Sequence, residues 1–317
     1  MIYITLLFLF IGIELIYFKA ADYFNIIDKP NSRSSHTSIT LRGGGIIFPI
    51  AVLTAYLLEY VSLSITLAVV LVAIVSFIDD IKPLSQLPRF LSHAVAMSLV
   101  FYDLGLFTQP IWILPIIFIL LIGWVNAFNF MDGINGITVL YALVAILSFS
   151  FLEVNKGSLP LLITMALSCF VFGFFNVRKK ARTFAGDVGS ISMALFLGYF
   201  MLKTVLDSGQ IGYVLFLSVY GIDAMITIFI RLKKKENIFQ PHRSHLYQYL
   251  ANELEYSHIT VSILYSGIQL LINILLFYLQ QFGELSLPII ISFLLFQTLF
   301  YLWIRNRVIR KITLGII

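Results

Sequence analysis

The chain has 317 residues, 60% of them apolar and only 12% Asp, Glu, Lys or Arg, with a net charge of +5. A soluble domain is about 45–50% apolar and about 25% charged, so this composition leaves too little polar surface to face water. It excludes a soluble enzyme, a disordered chain and a nucleic-acid-binding domain, and its apolar runs are too long for barrel strands; it reads as an all-α polytopic membrane protein.

Cutting the apolar runs at polar breaks predicts eleven spans: 1–18, 43–60, 62–78, 90–106, 111–128, 134–152, 158–176, 188–206, 211–231, 259–281 and 286–304. The first contains Glu14, has no basic residue ahead of it and no small-residue cleavage site after it, so it is expected to be an uncleaved span. Alternating crossings put 19–42, 79–89, 129–133, 177–187, 232–258 and 305–317 on one side. Of the 21 Lys and Arg, all but Lys156 and Lys203 lie on or next to that side. The positive-inside rule makes it cytoplasmic, with the N-terminus outside and the C-terminus inside. Cys169 is the single cysteine, so no intramolecular disulfide forms. The longest loop, 232–258, is too short for a separate domain. Residues 1–317 are therefore expected to form one integral membrane domain, with its chemistry at the cytoplasmic helix ends and loops.

Five polar clusters fall on that side. The first loop, "DKPNSRSSHTSITLRGGGIIFP", supplies donors from Arg33, His36 and Arg42. Gly43, Gly44 and Gly45 then open a span, either to bring backbone N–H groups to an anion or to let helices pack closely. Asp79 and Asp80 end the third span, as a solvated helix end or as a pair relieved by a cation or a basic partner. Two acids at a helix C-terminus oppose its dipole. Asn126, Asn129 and Asp132 recur every three residues at the end of the fifth span, so they share one face. Buried in lipid without partners they would cost several kcal/mol, on the order of 2–7 for each group, so they must meet protein, water or a ligand.

Next come Asn176, the basic run 178–182 and "GDVGS". Asp187 there is either a helix N-cap or a chemical group, and the basic run either orients the chain or attracts a polyanion. In the last long loop, "QPHRSHLYQYL" brings His242, Arg243 and His245 together. A third zinc ligand is missing nearby in sequence, so His with Arg reads better as a phosphate clamp. Carboxylates and phosphate-seeking donors on one face point to metal-assisted phosphoryl transfer, with Mg²⁺ as the favoured hard cation and Mn²⁺ as a substitute.

With "PNSRSSH…RGGG", "FIDD", "NAFNFMDGINGI", "FAGDVGS" and "HRSHLYQ" in order from residue 28 to 248, the chain resembles the polyprenyl-phosphate N-acetylhexosamine-1-phosphate transferases, glycosyltransferase family 4, together with the phospho-MurNAc-pentapeptide translocases. The resemblance implies transfer of a sugar-1-phosphate from a UDP-N-acetylhexosamine to undecaprenyl phosphate with release of UMP, in the lipid bilayer of a bacterial inner membrane, by a multi-pass protein that forms a homodimer. It implies that Asp187 is an Mg²⁺ ligand and that Asp79 and Asp80 divide between helping the metal and orienting or deprotonating the lipid phosphate. Asn126, Asn129 and Asp132 shape the active-site floor, Asn176 faces the nucleotide and Phe184 stacks on uracil. Arg33, His36 and Arg42 bind substrate, and His242, Arg243 and His245 bind phosphate.

Three features depart from the family pattern. Asn135 stands where the translocases carry a second acid. The histidine cluster is sparse, and "VRKKART" separates Asn176 from Phe184. The H-R-x-H-x-Y-Q form, with Asp223 and Arg231 ahead of it, resembles the branch that starts O-antigen or capsule chains on a 6-deoxy sugar such as N-acetylfucosamine or N-acetylquinovosamine. UDP-N-acetylglucosamine is the alternative donor. A transporter, the alternative of a different class, would carry ionisable groups at mid-membrane, where only Glu14 and Asp223 qualify.

Overall fold

The computed structural model describes residues 1–30, 35, 38–237, 242–283 and 285–315. Arg33 and His36 lie outside the described residues. The chain is a helical bundle: α1 (Ile2–Tyr23), α2 (Ile47–Leu57), α3 (Leu63–Ile81), α4 (Gln86–Asp103), α5 (Ile113–Met131), α6 (Ile137–Ser150), α7 (Leu159–Asn176), α8 (Gly186–Ser208), α9 (Ser218–Lys233), the single turn α10 (Leu246–Gln248), α11 (His258–Gln280) and α12 (Leu287–Leu314). A two-residue antiparallel pair, β1 (Ile27–Asp28) with β2 (Thr40–Leu41), folds the first loop back on itself.

Each of the eleven predicted spans contains one helix. Among the described residues, eight helical segments are long and apolar enough to cross a membrane, while Gly44–Leu57 and Ile137–Ser150 are apolar but shorter. Helix α4 is long enough but carries Arg89, His93 and Asp103 along it. Helix α12 runs ten residues beyond its predicted end. The apolar run stops at 304, but Arg, Lys and Leu are good helix formers, so the helix continues past it.

Helix starts follow local chemistry. Ser62 Oγ accepts the Ile65 N–H at 3.3 Å to begin α3, and Ser257 Oγ accepts the Thr260 N–H at 3.1 Å to begin α11. Helix α8 is the hub: 78% of its apolar window is buried, against 11% for α12. It lies against α3, α5 and the start of α2. That last crossing is backbone on backbone. A Cβ on Gly45 would sit 2.3 Å from Gly189 Cα, so nothing larger than glycine fits either position without displacing a helix. Trp124 on α5 donates its indole N–H to the Ala194 carbonyl at 2.8 Å, fixing α5 against α8.

Because successive helices alternate in direction, the C-terminal ends of α3, α5 and α7 and the N-terminal ends of α4, α6 and α8 gather at one end of the bundle. Asp79, Asp80, Arg89, Asn129, Asp132, Asn176 and Asp187 occupy those ends.

Candidate active site

Asp79 and Asp80 end α3, and Arg89 lies in the first turns of α4, just across a short connection. Asp79 Oδ1 accepts the Leu84 N–H at 2.6 Å, which ties the carboxylate to that connection. Its other oxygen meets Arg89 Nη1 at 3.1 Å, and Arg89 Nη2 reaches Asp187 Oδ2 at 3.5 Å. Arg42 closes the group from the first loop, with Nε 2.7 Å from Asp80 Oδ1 and Nη2 3.7 Å from Asp187 Oδ1. Three carboxylates thus face two guanidinium groups. Burial works against the charge on Arg42, but Asp80 and Asp187 more than offset this, so its guanidinium is held above its ordinary value.

The two carboxylates flanking the start of α8 have different duties. Asp80 accepts the backbone N–H of Asp187 at 2.9 Å and of Val188 at 3.0 Å. It caps α8 from another helix. Asp187 was expected to be either a cap or a chemical group; Ala185 holds the capping position, and among the described residues no backbone N–H donates to the Asp187 carboxylate. The reason is register: Asp187 is the second residue of the helix, past the capping position. Gly186 precedes it at φ +71°, and a Cβ there would lie 2.5 Å from Asp80 Oδ2, so the Asp80 cap requires glycine. Asp187 is left with the two guanidinium contacts.

Asn129 Oδ1 accepts the Ser190 hydroxyl at 2.6 Å, joining α5 to α8. Asp132, just past the end of α5, accepts the Thr138 hydroxyl. Burial, with Asp80 nearby, pushes the Asp132 carboxyl up to about 6. Asn126 sits apart, donating to the Ile122 carbonyl of its own helix at 2.8 Å. Asn176 is buried and committed on both ends. Its Oδ1 accepts the Gly136 N–H at 2.7 Å and its Nδ2 donates to the Thr183 carbonyl at 2.9 Å. It latches two loops together.

The glycine run also differs from one of its two expectations. The N–H groups of Gly44 and Gly45 donate to the Phe184 and Ala185 carbonyls, at 2.9 and 3.0 Å, and so are not presented to an anion. The close-packing alternative is what the backbone adopts. The carbonyl of Arg42, just before the run, is held by the Tyr17 hydroxyl at 2.5 Å.

A cavity of about 280 Å³ opens among these groups, lined by Arg42, Asn129, Asp132, Asn176, Phe184 and Asp187. Phe184, Asn135 and His258 also line a neighbouring recess of about 620 Å³, edged by Lys179 and Lys180 on one side and Glu255 on the other. The histidine loop packs on the end of α5. The Tyr247 hydroxyl donates to the Phe130 carbonyl at 3.0 Å, and the His242 ring lies 6.3 Å from the Phe130 ring. Burial, with His245 and Arg231 adjacent, pushes the His242 imidazole down to about 4. His245 is buried, and its ring stacks on that of His242. Leu246, next to His245 in sequence, lines a separate groove between α11 and α12. Burial of its side chain among those helices outweighs its closeness in sequence to the histidines.

Sequence reasoning counted Arg89 only as a topology marker. Its separation of ten residues from Asp79 across a helical hairpin was the available signal. Tyr17 carried no signal at all, since nothing in an apolar first span says which hydroxyl meets residue 42.

The molecule is a multi-pass helical membrane protein with a carboxylate–guanidinium cleft at one end of the bundle. The model of glycosyl transferase family 4 matches residues 62–205, which include Asp79, Asp80, Asp132 and Asp187. Over that stretch the chain is similar to members of the family. It is 25% identical over 252 residues to a probable undecaprenyl-phosphate N-acetylglucosaminyl 1-phosphate transferase of Bacillus subtilis, covering 71% of this chain and 69% of that protein. It is 28% identical over 235 residues to an undecaprenyl-phosphate alpha-N-acetylglucosaminyl 1-phosphate transferase of Thermotoga maritima, covering 72% and 74%. A phospho-N-acetylmuramoyl-pentapeptide-transferase of Streptococcus thermophilus is 32% identical over a shorter stretch of 99 residues, covering 30% and 29%.

Proposed function

We propose that the chain transfers an N-acetylhexosamine-1-phosphate from a UDP-sugar to undecaprenyl phosphate, releasing UMP and starting a lipid-linked glycan of the cell envelope, such as an O-antigen or a capsule. The observation that carries this is the cluster of Asp79, Asp80 and Asp187 with Arg42 and Arg89, of which Arg42 and Asp187 line a cavity. Such a cluster suits two phosphate groups that must approach each other. A lipid phosphate oxygen forms a bond to the β-phosphorus, the bridging P–O bond breaks, and its electron pair leaves with UMP. The family and the names of the relatives agree with this chemistry. The membrane would be the bacterial inner membrane, with residues 1–317 acting as one domain and the site on its cytoplasmic face; a homodimer is the proposed assembly.

Within that reaction the residues divide the work. Asp79 and Asp80 hold Arg89 and Arg42 in place. Each guanidinium offers a fork of N–H donors to the transferring phosphates, whose charge rises in the transition state. Phe184, shared by the cavity and the recess, presents a ring for the base, and the hydroxyl-rich wall of the recess suits ribose. His242, Arg243 and His245 handle the phosphates.

The donor set fits Mg²⁺, with Mn²⁺ able to replace it. All the candidate ligands are hard oxygens. Among the described residues, Asp187 is the one of the three carboxylates that accepts no backbone N–H, which leaves it lone pairs for a metal. Among the described residues, no three acidic, His or Cys side chains already converge on one point. Mg²⁺ does not require that, because it keeps several waters and takes substrate phosphates beside one or two carboxylates. Asp187 would hold it, with Asp79 nearby. When bound, the cation would offset charge on the diphosphate.

For the sugar, the sparse histidine loop favours a 6-deoxy N-acetylhexosamine, N-acetylfucosamine or N-acetylquinovosamine, over a peptide-bearing donor. The second reading is UDP-N-acetylglucosamine, favoured by the names of the Bacillus and Thermotoga relatives and by the position of Leu246 away from the cavity. The test is UMP release by the purified chain in detergent with undecaprenyl phosphate and Mg²⁺, across a panel of UDP-sugars. Release that ignores the lipid phosphate would sink the proposal.

A further inference from the structure

Outside the carboxylate cleft, one acid collects more partners than any role so far requires. Asp223 on α9 is fully buried. It accepts from His245 Nδ1 at 3.0 Å, the Leu246 N–H at 3.3 Å, the Tyr265 hydroxyl at 2.5 Å, the Tyr301 hydroxyl at 2.9 Å and the Thr227 hydroxyl at 3.2 Å. These donors come from α9, α10, α11 and α12. A carboxylate at this depth is costly without such company.

The consequence falls on His245. A carboxylate facing Nδ1 requires the proton on that nitrogen, which leaves Nε2 as the ring's second site. Nε2 is buried and meets no hydrogen-bond partner among the described residues. The ring cannot turn to find one. It is stacked on His242 at 4.9 Å between centroids, and on Tyr247 at 5.8 Å. The His245 N–H is held in addition by Gln248 Oε1 at 3.2 Å. A buried imidazole nitrogen without a partner is a cost the fold does not recover internally.

We propose that Asp223 is a positioning residue that acts through His245. It fixes the imidazole as the Nδ1–H form, in one orientation, so that Nε2 is kept for a phosphate oxygen of the bound substrates. With a proton also on Nε2, that nitrogen donates a charge-assisted bond to the arriving phosphate. This rests on the phosphoryl-transfer function proposed above. It assigns to a residue deep in α9 the task of setting up the loop at the surface.

The test uses the full-length chain in detergent, with UMP release from the best UDP-sugar of the panel and a ¹⁵N-histidine spectrum. The chain has only five histidines, so the His245 signal is assignable by its loss in a variant. Asp223→Asn is expected to lower kcat by about tenfold or more with KM within about threefold, and to shift the His245 nitrogens away from the Nδ1–H pattern. His245→Asn keeps an N–H toward Asp223 but has no counterpart of Nε2; turnover should fall about a hundredfold with the melting temperature near wild type.

The double variant should be no worse than His245→Asn alone, because residues that act as a unit are not additive. An additive double loss, an unchanged kcat in Asp223→Asn, or an unchanged His245 spectrum in that variant would each overturn the proposal. If Asp223→Asn fails to fold, His245→Asn decides: wild-type turnover overturns the proposal, and a large loss at an unchanged melting temperature supports it. A wild-type chain that releases no UMP from any donor removes the proposed function instead, and the tautomer is still read from the spectrum.

Discussion

Asp80, at the end of α3, accepts the backbone N–H of Asp187 at 2.9 Å, so one carboxylate of the cleft holds the helix on which another is carried. A buried, negatively charged cap at a helix N-terminus is favoured by the helix dipole as well as by the hydrogen bonds.

This division predicts opposite signatures for two similar substitutions. Asp80→Asn offers an amide N–H toward Arg42 and the α8 N–H groups, so it should lower stability by about 1–3 kcal/mol and impair activity with it. Asp187→Asn removes no backbone bond. It should leave the melting temperature in detergent near wild type and abolish UMP release. Wild-type turnover in Asp187→Asn at ordinary Mg²⁺ concentrations would falsify its assignment as a metal ligand.

Arg89 bridges Asp79 and Asp187 through two different nitrogens. Lysine carries the charge but not the planar fork, so it cannot make both contacts. Arg89→Lys should therefore lose about ten- to a hundredfold in turnover, with Arg89→Ala at least as poor. Steady-state UMP release checks it, and Lys at wild-type rate would return Arg89 to a topological role.

Asp132 has a pH signature. Its carboxyl is raised from an ordinary value of 3.8 to about 6 by burial, with Asp80 nearby. Between those values the folded state binds more protons than the unfolded one, so this group's contribution falls as pH rises through the window and stays unfavourable above it. Asp132→Asn keeps an acceptor for the Thr138 hydroxyl and carries no charge. It should raise stability at pH 7.5 by about 1 kcal/mol, allowing for partial solvent access at the cavity, and by less at pH 5. Melting temperatures of both proteins at the two pH values test this; equal increments would contradict it.

His242 works the other way. Its imidazole is lowered from 6.5 to about 4, with burial the largest cause. The folded state therefore binds fewer protons, and stability contributed by this loop should decline as pH falls from about 6.5 toward 4. His242→Ala should flatten that decline. It should also cost about ten- to a hundredfold in rate at subsaturating donor, the worth of a charge-assisted phosphate contact.

Competition among three donors at equal concentration tests the sugar. A 6-deoxy donor should exceed UDP-N-acetylglucosamine by no more than about 10–100-fold, because a pocket distinguishes a methyl from a hydroxymethyl weakly. Both should exceed UDP-MurNAc-pentapeptide. Preference for the peptide donor would refute the branch, and preference for UDP-N-acetylglucosamine would select the second reading with the mechanism unchanged.

The amino-acid sequence by itself determined the material and the general plan. With 60% apolar residues the chain had to be a helical membrane protein, and each long apolar run became a helix because lipid leaves backbone groups no other partners. The alternation of spans also fixed that Asp79, Asp132 and Asp187 share one end, since helix direction reverses at every connection. Tertiary structure decided how those groups meet. That Asp80 caps α8, that Arg89 spans two carboxylates, that Gly44 and Gly45 spend their N–H groups on residues 184 and 185, and that Asp223 holds His245 all depend on contacts between segments up to 140 residues apart. Such pairings are set by which helices lie side by side, at what rotation and depth. Periodicity along one helix carries no information on any of the three, because a carboxylate at a helix end looks the same in sequence whether its partner is water, arginine or the N-terminus of another helix.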